Sequence, residues 1–160
     1  MPSRAAIALI TVFLSAACFP ATVRTKRDPP ATERALERAI FARVNRHRRA
    51  IGLPALADDS TIARHARLHS AAMAAGTTPL GHTGFADRAA TLRRVMAARR
   101  TAENVAFNQG HRDPAAVAVQ GWLESPGHRE NIEGPYELTG VGVASNAKGE
   151  VYFTQIFVGR

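Results

Sequence analysis

Cysteine is almost absent, with Cys18 the only one in 160 residues, which excludes an intramolecular disulfide framework and a cysteine-rich zinc module. No segment repeats at a period of 20 to 50 residues, so solenoids and propellers are excluded. Four catalytic signatures are missing: G-x-S-x-G, H-E-x-x-H, the phosphate-binding G-x-x-x-x-G-K and the dinucleotide G-x-G-x-x-G. Gly140-Val141-Gly142 lies inside a strand-like run and is too slight to replace any of them. What is present is a chain 46% hydrophobic and 21% charged, which excludes wholesale disorder. Its length suits one domain rather than two independent cores.

The longest uncharged apolar run, Ala5 to Ala17, is too short to cross ~30 Å of hydrocarbon as a helix. Preceded by Arg4, it reads as the core of a signal peptide over residues 1–17. Leu14-Ser15-Ala16-Ala17-Cys18 looks like a bacterial lipobox, which would make Cys18 the lipidated first residue of the mature chain. Simple cleavage and secretion is the rival reading. Residues 18–31 carry Pro20, Pro29 and Pro30 and read as a tether, leaving residues 32–160 as the domain. The expected localisation is the cell envelope, as a membrane-anchored lipoprotein, or outside the cell if Cys18 stays bare.

Lysine is scarce too, since Lys26 and Lys148 are the only two among 21 basic residues, and the net charge is +8. The excess is uneven. Residues 24–49 hold nine basic side chains against three acidic, whereas residues 113–160 hold three against six. Attraction to an anionic membrane surface fits this asymmetry, and so does the arginine bias of a G+C-rich genome. Export argues against a nucleic-acid partner.

Leu36, Ile40 and Val44 recur at helical spacing from Thr32, with Ile51 continuing the stripe until Gly52 stops it. Leu53 to Leu56 reads as a connection. Asp58, Asp59 and Ser60 offer caps for a second helix bearing Ile62, Ala66, His69 and Met73. Thr77 to Gly84 reads as loop and Ala86 to Ala98 as a third helix. Asp113-Pro114 opens a fourth whose apolar side includes Val117 and Trp122, and Ser125-Pro126 opens a short fifth. Leu138–Ala144 and Val151–Val158 form a β-hairpin pattern, to which Glu103–Phe107 adds a strand. Helices first and strands last predict an α+β fold, with helices covering a small antiparallel sheet.

Candidate chemistry sits in three segments. His82 lies in a glycine-flanked loop, Glu103 at the edge of an apolar strand, and His128 at a helix start, with Glu124 and Ser125 just before it. A carboxylate beside an imidazole fixes its tautomer, and two neutral imidazoles with a carboxylate suit Zn²⁺ with one position open. His65 and His69 stand four apart on one helix face, as a packed pair or a weak chelate. Trp122 is expected in the core, and Asn104 and Asn131 as hydrogen-bonded braces. Gly127 is expected to permit close packing, and Ser125 to spend its hydroxyl as a helix cap.

From about Leu36 to Phe157 the chain resembles the CAP superfamily of cysteine-rich secretory, antigen 5 and pathogenesis-related-1 proteins, in its short bacterial form. The resemblance is carried by Asn45-Arg46 with Gly52 to Leu56, by Ala66 to Met73, and by the His82 loop. It continues through Ala102 to Ala106, Trp122 to Asn131, Thr139 to Val143, and Tyr152 to Phe157. Their order and the SPGHRxN segment are the specific part. The resemblance implies an α-β-α sandwich with a cleft lined by two His and up to two Glu. By position these are His82, His128 and Glu103, with Glu124 the candidate for the fourth place, because Ser125 stands where eukaryotic members carry the second Glu. Thr154 or Gln155 is expected to face the cleft that the resemblance implies.

Family members are associated with lipid or sterol binding, with a divalent metal at the His pair, and occasionally with proteolysis. The expectation is a non-enzymatic envelope module whose cleft takes a lipid or peptide and a zinc ion on His82 and His128. One alternative is a hydrolase of envelope peptides with Glu103 as base. Another is an adhesion module working through its basic first helix, the His/Glu cluster being structural.

Overall fold

The computed structural model describes residues 31–160, so the signal-peptide, tether and Cys18 expectations lie outside the described residues. The first apolar stripe becomes α1 (Ala31–Ala50), with Ile40 and Val44 fully buried. Ile51 departs from expectation and is 48% exposed. The stripe position after Val44 belongs instead to Arg48, which is buried and donates to the carbonyls of Pro54, Ile132, Gly134 and Tyr136. Gly52, at φ +80, ends the helix in a Schellman turn: Leu53 N–H donates to Arg48 O and Gly52 N–H to Arg49 O.

Then follow β1 (Ala57–Asp58), α2 (Ser60–Ala74), α3 (Phe85–Met96), β2 (Arg100–Gln109), α4 (Pro114–Glu124) and α5 (Pro126–Glu133). A hairpin of β3 (Leu138–Ser145) and β4 (Glu150–Gly159) closes the chain. The sheet runs β1-β3-β4-β2. It is antiparallel except for β1, a two-residue strand lying parallel to β3 that the sequence pattern did not reveal. Asn45 explains how so short a strand is held, because its amide exchanges two hydrogen bonds with the Leu56 backbone just before it. β2 is also longer than expected, pairing with β4 along all ten of its residues.

The α1, α4 and α5 helices cover one face of the sheet, packing Ile40, Val44, Val119, Trp122 and Ile132 on Val141, Val143, Phe153 and Phe157. Helices α2 and α3 cover the other, with Ile62, Ala66 and Leu92 on Ile156 and Val158. The result is the expected α-β-α sandwich. On α4 the buried residues are Ala115, Ala118, Val119 and Trp122, at helical spacing. Val117 falls off that stripe and is 38% exposed, contrary to expectation. The α2 helix lies almost on the backbone of β3: a Cβ at Gly140 would come 2.1 Å from Ala63 N, and one at Gly142 2.1 Å from Arg67 N. No helix among the described residues is long and apolar enough to cross a membrane.

Candidate functional site

The site wraps the outer edge of β2. Successive strand residues point to opposite faces, so Glu103 faces the α3 side and Asn104 the α5 side. His82 comes from the loop between α2 and α3. Gly81 O accepts from His69 Nε2 at 2.7 Å, and Phe85 N–H donates to His82 O at 2.9 Å, which fixes the loop.

His82 Nδ1 lies 3.1 Å from Glu103 Oε1. An ionised carboxylate only accepts, so Nδ1 carries the proton, and in the uncharged tautomer Nε2 is the lone-pair nitrogen. The His82 side chain is 51% exposed and that of Glu103 is 0% exposed.

Both Glu103 oxygens also accept from Arg88, Nε to Oε2 at 2.9 Å and Nη2 to Oε1 at 2.8 Å. Arg88 Nη1 donates to Thr83 O at 2.9 Å, tying the same guanidinium to the His82 loop. No motif marks this arginine, and nothing in the sequence sets it apart from the other arginines.

On the other face, Asn104 Nδ2 donates to His128 O at 3.0 Å, and Asn131 Nδ2 donates to Asn104 Oδ1 and to Glu103 O. The two asparagines are braces, as expected. They hold the α5 helix so that the His82 and His128 rings stand 6.3 Å apart between centroids, tilted by 43°. Burial, and secondarily His82, pushes the His128 pKa below its ordinary value and keeps the ring neutral.

The structure thus brings His82, Glu103 and His128 together. It does not bring Glu124 to them. Glu124 is exposed, accepts from Gln120 Nε2, and lines a separate groove of about 560 Å³ beside Arg43, Arg46 and His47 of α1.

Three finer expectations are corrected. The Ser125 side chain makes no capping hydrogen bond to α5, and a Cβ at Gly127 would meet nothing within 4 Å. Neither Thr154 nor Gln155 is open to the cleft, since both are fully buried and bonded within the fold to Ser70 and Thr139. His69 is a buried loop support, while His65 Nε2 is buried without a protein partner. Burial is also the first cause of the lowered pKa of both.

The residues present do not fit a zinc ion held by His82, His128 and Glu103 together, because Arg88 already occupies the carboxylate. Among the described residues no group of three or more His, Cys, Asp and Glu side chains is arranged to hold a metal ion.

The domain is thus an α-β-α sandwich with two imidazoles meeting around one edge strand. The profile of the cysteine-rich secretory protein family, CAP, matches residues 41–157, and the chain belongs to that family. It is similar to an extracellular protein from Bacillus anthracis that contains an SCP domain. Identity is 32% over 80% of this chain and 41% of that one, with a TM-score of 0.62. An outer surface protein from Borrelia burgdorferi shares the fold at 19% identity, 79% and 93% coverage and a TM-score of 0.68. A cysteine-rich secretory protein from Staphylococcus aureus shares it at 21% identity, 82% and 41% coverage and a TM-score of 0.65. The chain therefore spans about two fifths of the Bacillus and Staphylococcus chains. None of the curated proteins compared with it matches.

Proposed function

We propose that the chain is an exported binding domain of the cell envelope, anchored through a lipid on Cys18 after removal of residues 1–17. Its cleft at His82 and His128 takes a lipid or peptide without cleaving it. Export is supported by the relatives, one described as extracellular and another as an outer surface protein.

Binding without hydrolysis is carried by one observation, the contrast between an exposed His82 and a Glu103 with no exposed surface. The hydrolase reading needs Glu103 to take a proton from water. Its oxygens accept from Arg88 and His82 instead. What the cleft offers a ligand is the His82 Nε2 lone pair beside a neutral His128, an acceptor surface for a lipid hydroxyl or a peptide N–H.

Native mass spectrometry of the protein recovered from its exporting host tests this. A bound adduct of lipid or peptide mass, lost in the His82→Ala/His128→Ala variant, is the expected result. Turnover of fluorescein-labelled casein that Glu103→Gln abolishes would replace binding with hydrolysis.

A further inference from the structure

We infer that Arg88 is a resident cation that closes the cleft to divalent metal ions. The inference rests on the reading of His82 and His128 as the cleft, and it concerns what that cleft refuses.

Two imidazoles supply only part of the three or four protein ligands that zinc usually takes, and Glu103, hydrogen-bonded to His82, is the acid beside them. That acid is already neutralised. Arg88 grips it with two parallel N–H···O bonds of 2.8 and 2.9 Å, the fork geometry that a guanidinium makes best with a carboxylate. His82 Nδ1 takes a further place on Oε1.

The guanidinium does not deprotonate in proteins, so it stays a cation beside the acid. Nor is it loosely placed. Its side chain is only 14% exposed, and its Nη1 donates a further bond to Thr83 O, one residue after His82. A divalent ion reaching Glu103 would have to expel a positive group from a site with no exposed carboxylate surface, and would pull on the loop that carries its own imidazole ligand. Before such a displacement, the ion and the guanidinium would stand as like charges beside one carboxylate. An uncharged hydrogen-bonding group pays none of these costs at His82 Nε2.

The test is Zn²⁺ titration calorimetry on the full-length chain, on Arg88→Gln, and on Arg88→Gln/Glu103→Gln, with thermal unfolding run beside each. Arg88→Gln is expected to bind zinc about tenfold tighter or more than the wild type, and the second substitution to abolish that gain. A folded Arg88→Gln variant with no gain overturns the inference. So does stoichiometric zinc binding by the wild type that the His82→Ala/His128→Ala variant lacks.

Should Arg88→Gln not fold, imidazole nitrogen NMR of the wild type decides. His82 resonances unmoved by stoichiometric zinc support a closed cleft, and coordination shifts at His82 overturn it. These readouts use zinc alone, so a missing lipid or peptide adduct would sink the binding-domain reading and leave this comparison standing.

Discussion

Asn104 Nδ2 donates to the carbonyl of His128 across 3.0 Å, so a buried strand residue holds the helix that carries the second imidazole. Asn104 has no exposed surface and also accepts from Asn131. Asn104→Ala leaves the His128 carbonyl and the Asn131 amide without this partner. The expected cost is about 1–3 kcal/mol, read as a lower urea midpoint with an unchanged slope. An unaltered midpoint would mean that α5 is held by its apolar contacts alone.

The two glycines of β3 and the glycine of α5 should respond in opposite directions. Gly142→Ala forces a Cβ to 2.1 Å from Arg67 N and 2.2 Å from the Ala66 carbonyl carbon, both backbone atoms of α2. Destabilisation by about 3 kcal/mol or more is expected, because a helix must lift off the sheet. Gly127→Ala meets no atom within 4 Å and sits in the first turn of α5. It should stabilise by about 0.5–1 kcal/mol, and parallel thermal melts compare the two.

Acid should weaken the fold through its buried and half-buried histidines. His65, His69 and His128 all have pKa values lowered from 6.5, chiefly by burial. Below 6.5 and down to the folded values, the unfolded chain binds more protons than the folded one, so stability rises with pH in that window. The contribution is fully present above about pH 6.5 and is lost as pH falls through the folded values. Melting temperatures should therefore drop on acidification, and less steeply in His69→Gln. A temperature that holds constant over the window would show that these rings charge without penalty.

Membrane attachment has two separable sources. Cys18→Ser is expected to move the protein from the membrane fraction to the soluble one. Arg38, Arg46 and Arg49 are exposed on α1. If they contribute, binding to anionic vesicles should weaken steeply with salt, since the Debye length shrinks from ~10 Å at 0.1 M to ~3 Å at 1 M. Retention of the Cys18→Ser protein at high salt would remove both explanations.

The helices and the hairpin were legible because their apolar spacing is the core itself: Ile40 and Val44, or Phe153 and Phe157, are buried by the periodicity that announced them. β1 was not, since two residues have no period and its support comes from Asn45, far back in α1.

In the site, His82, Glu103 and His128 could be read from the order of their segments. Glu124 could not be placed, because its direction depends on how α4 is rolled against α1. Arg88 stayed hidden for a plainer reason. Arginine is the commonest charged residue of the chain, and only the folded loop shows which one meets the acid.

Glu103 and Asn104 are consecutive, yet each governs a different imidazole from a different side of the sheet. A one-residue slip of β2 against β4 would send the acid toward α5 and the amide toward α3, exchanging both supports at once. The loop before α3 and the helix after α4 are free to drift in sequence, each against its own anchor. The count of residues along the edge strand is not, and an insertion or deletion between Arg100 and Glu103 would dismantle the whole cluster while leaving every member of it in the chain.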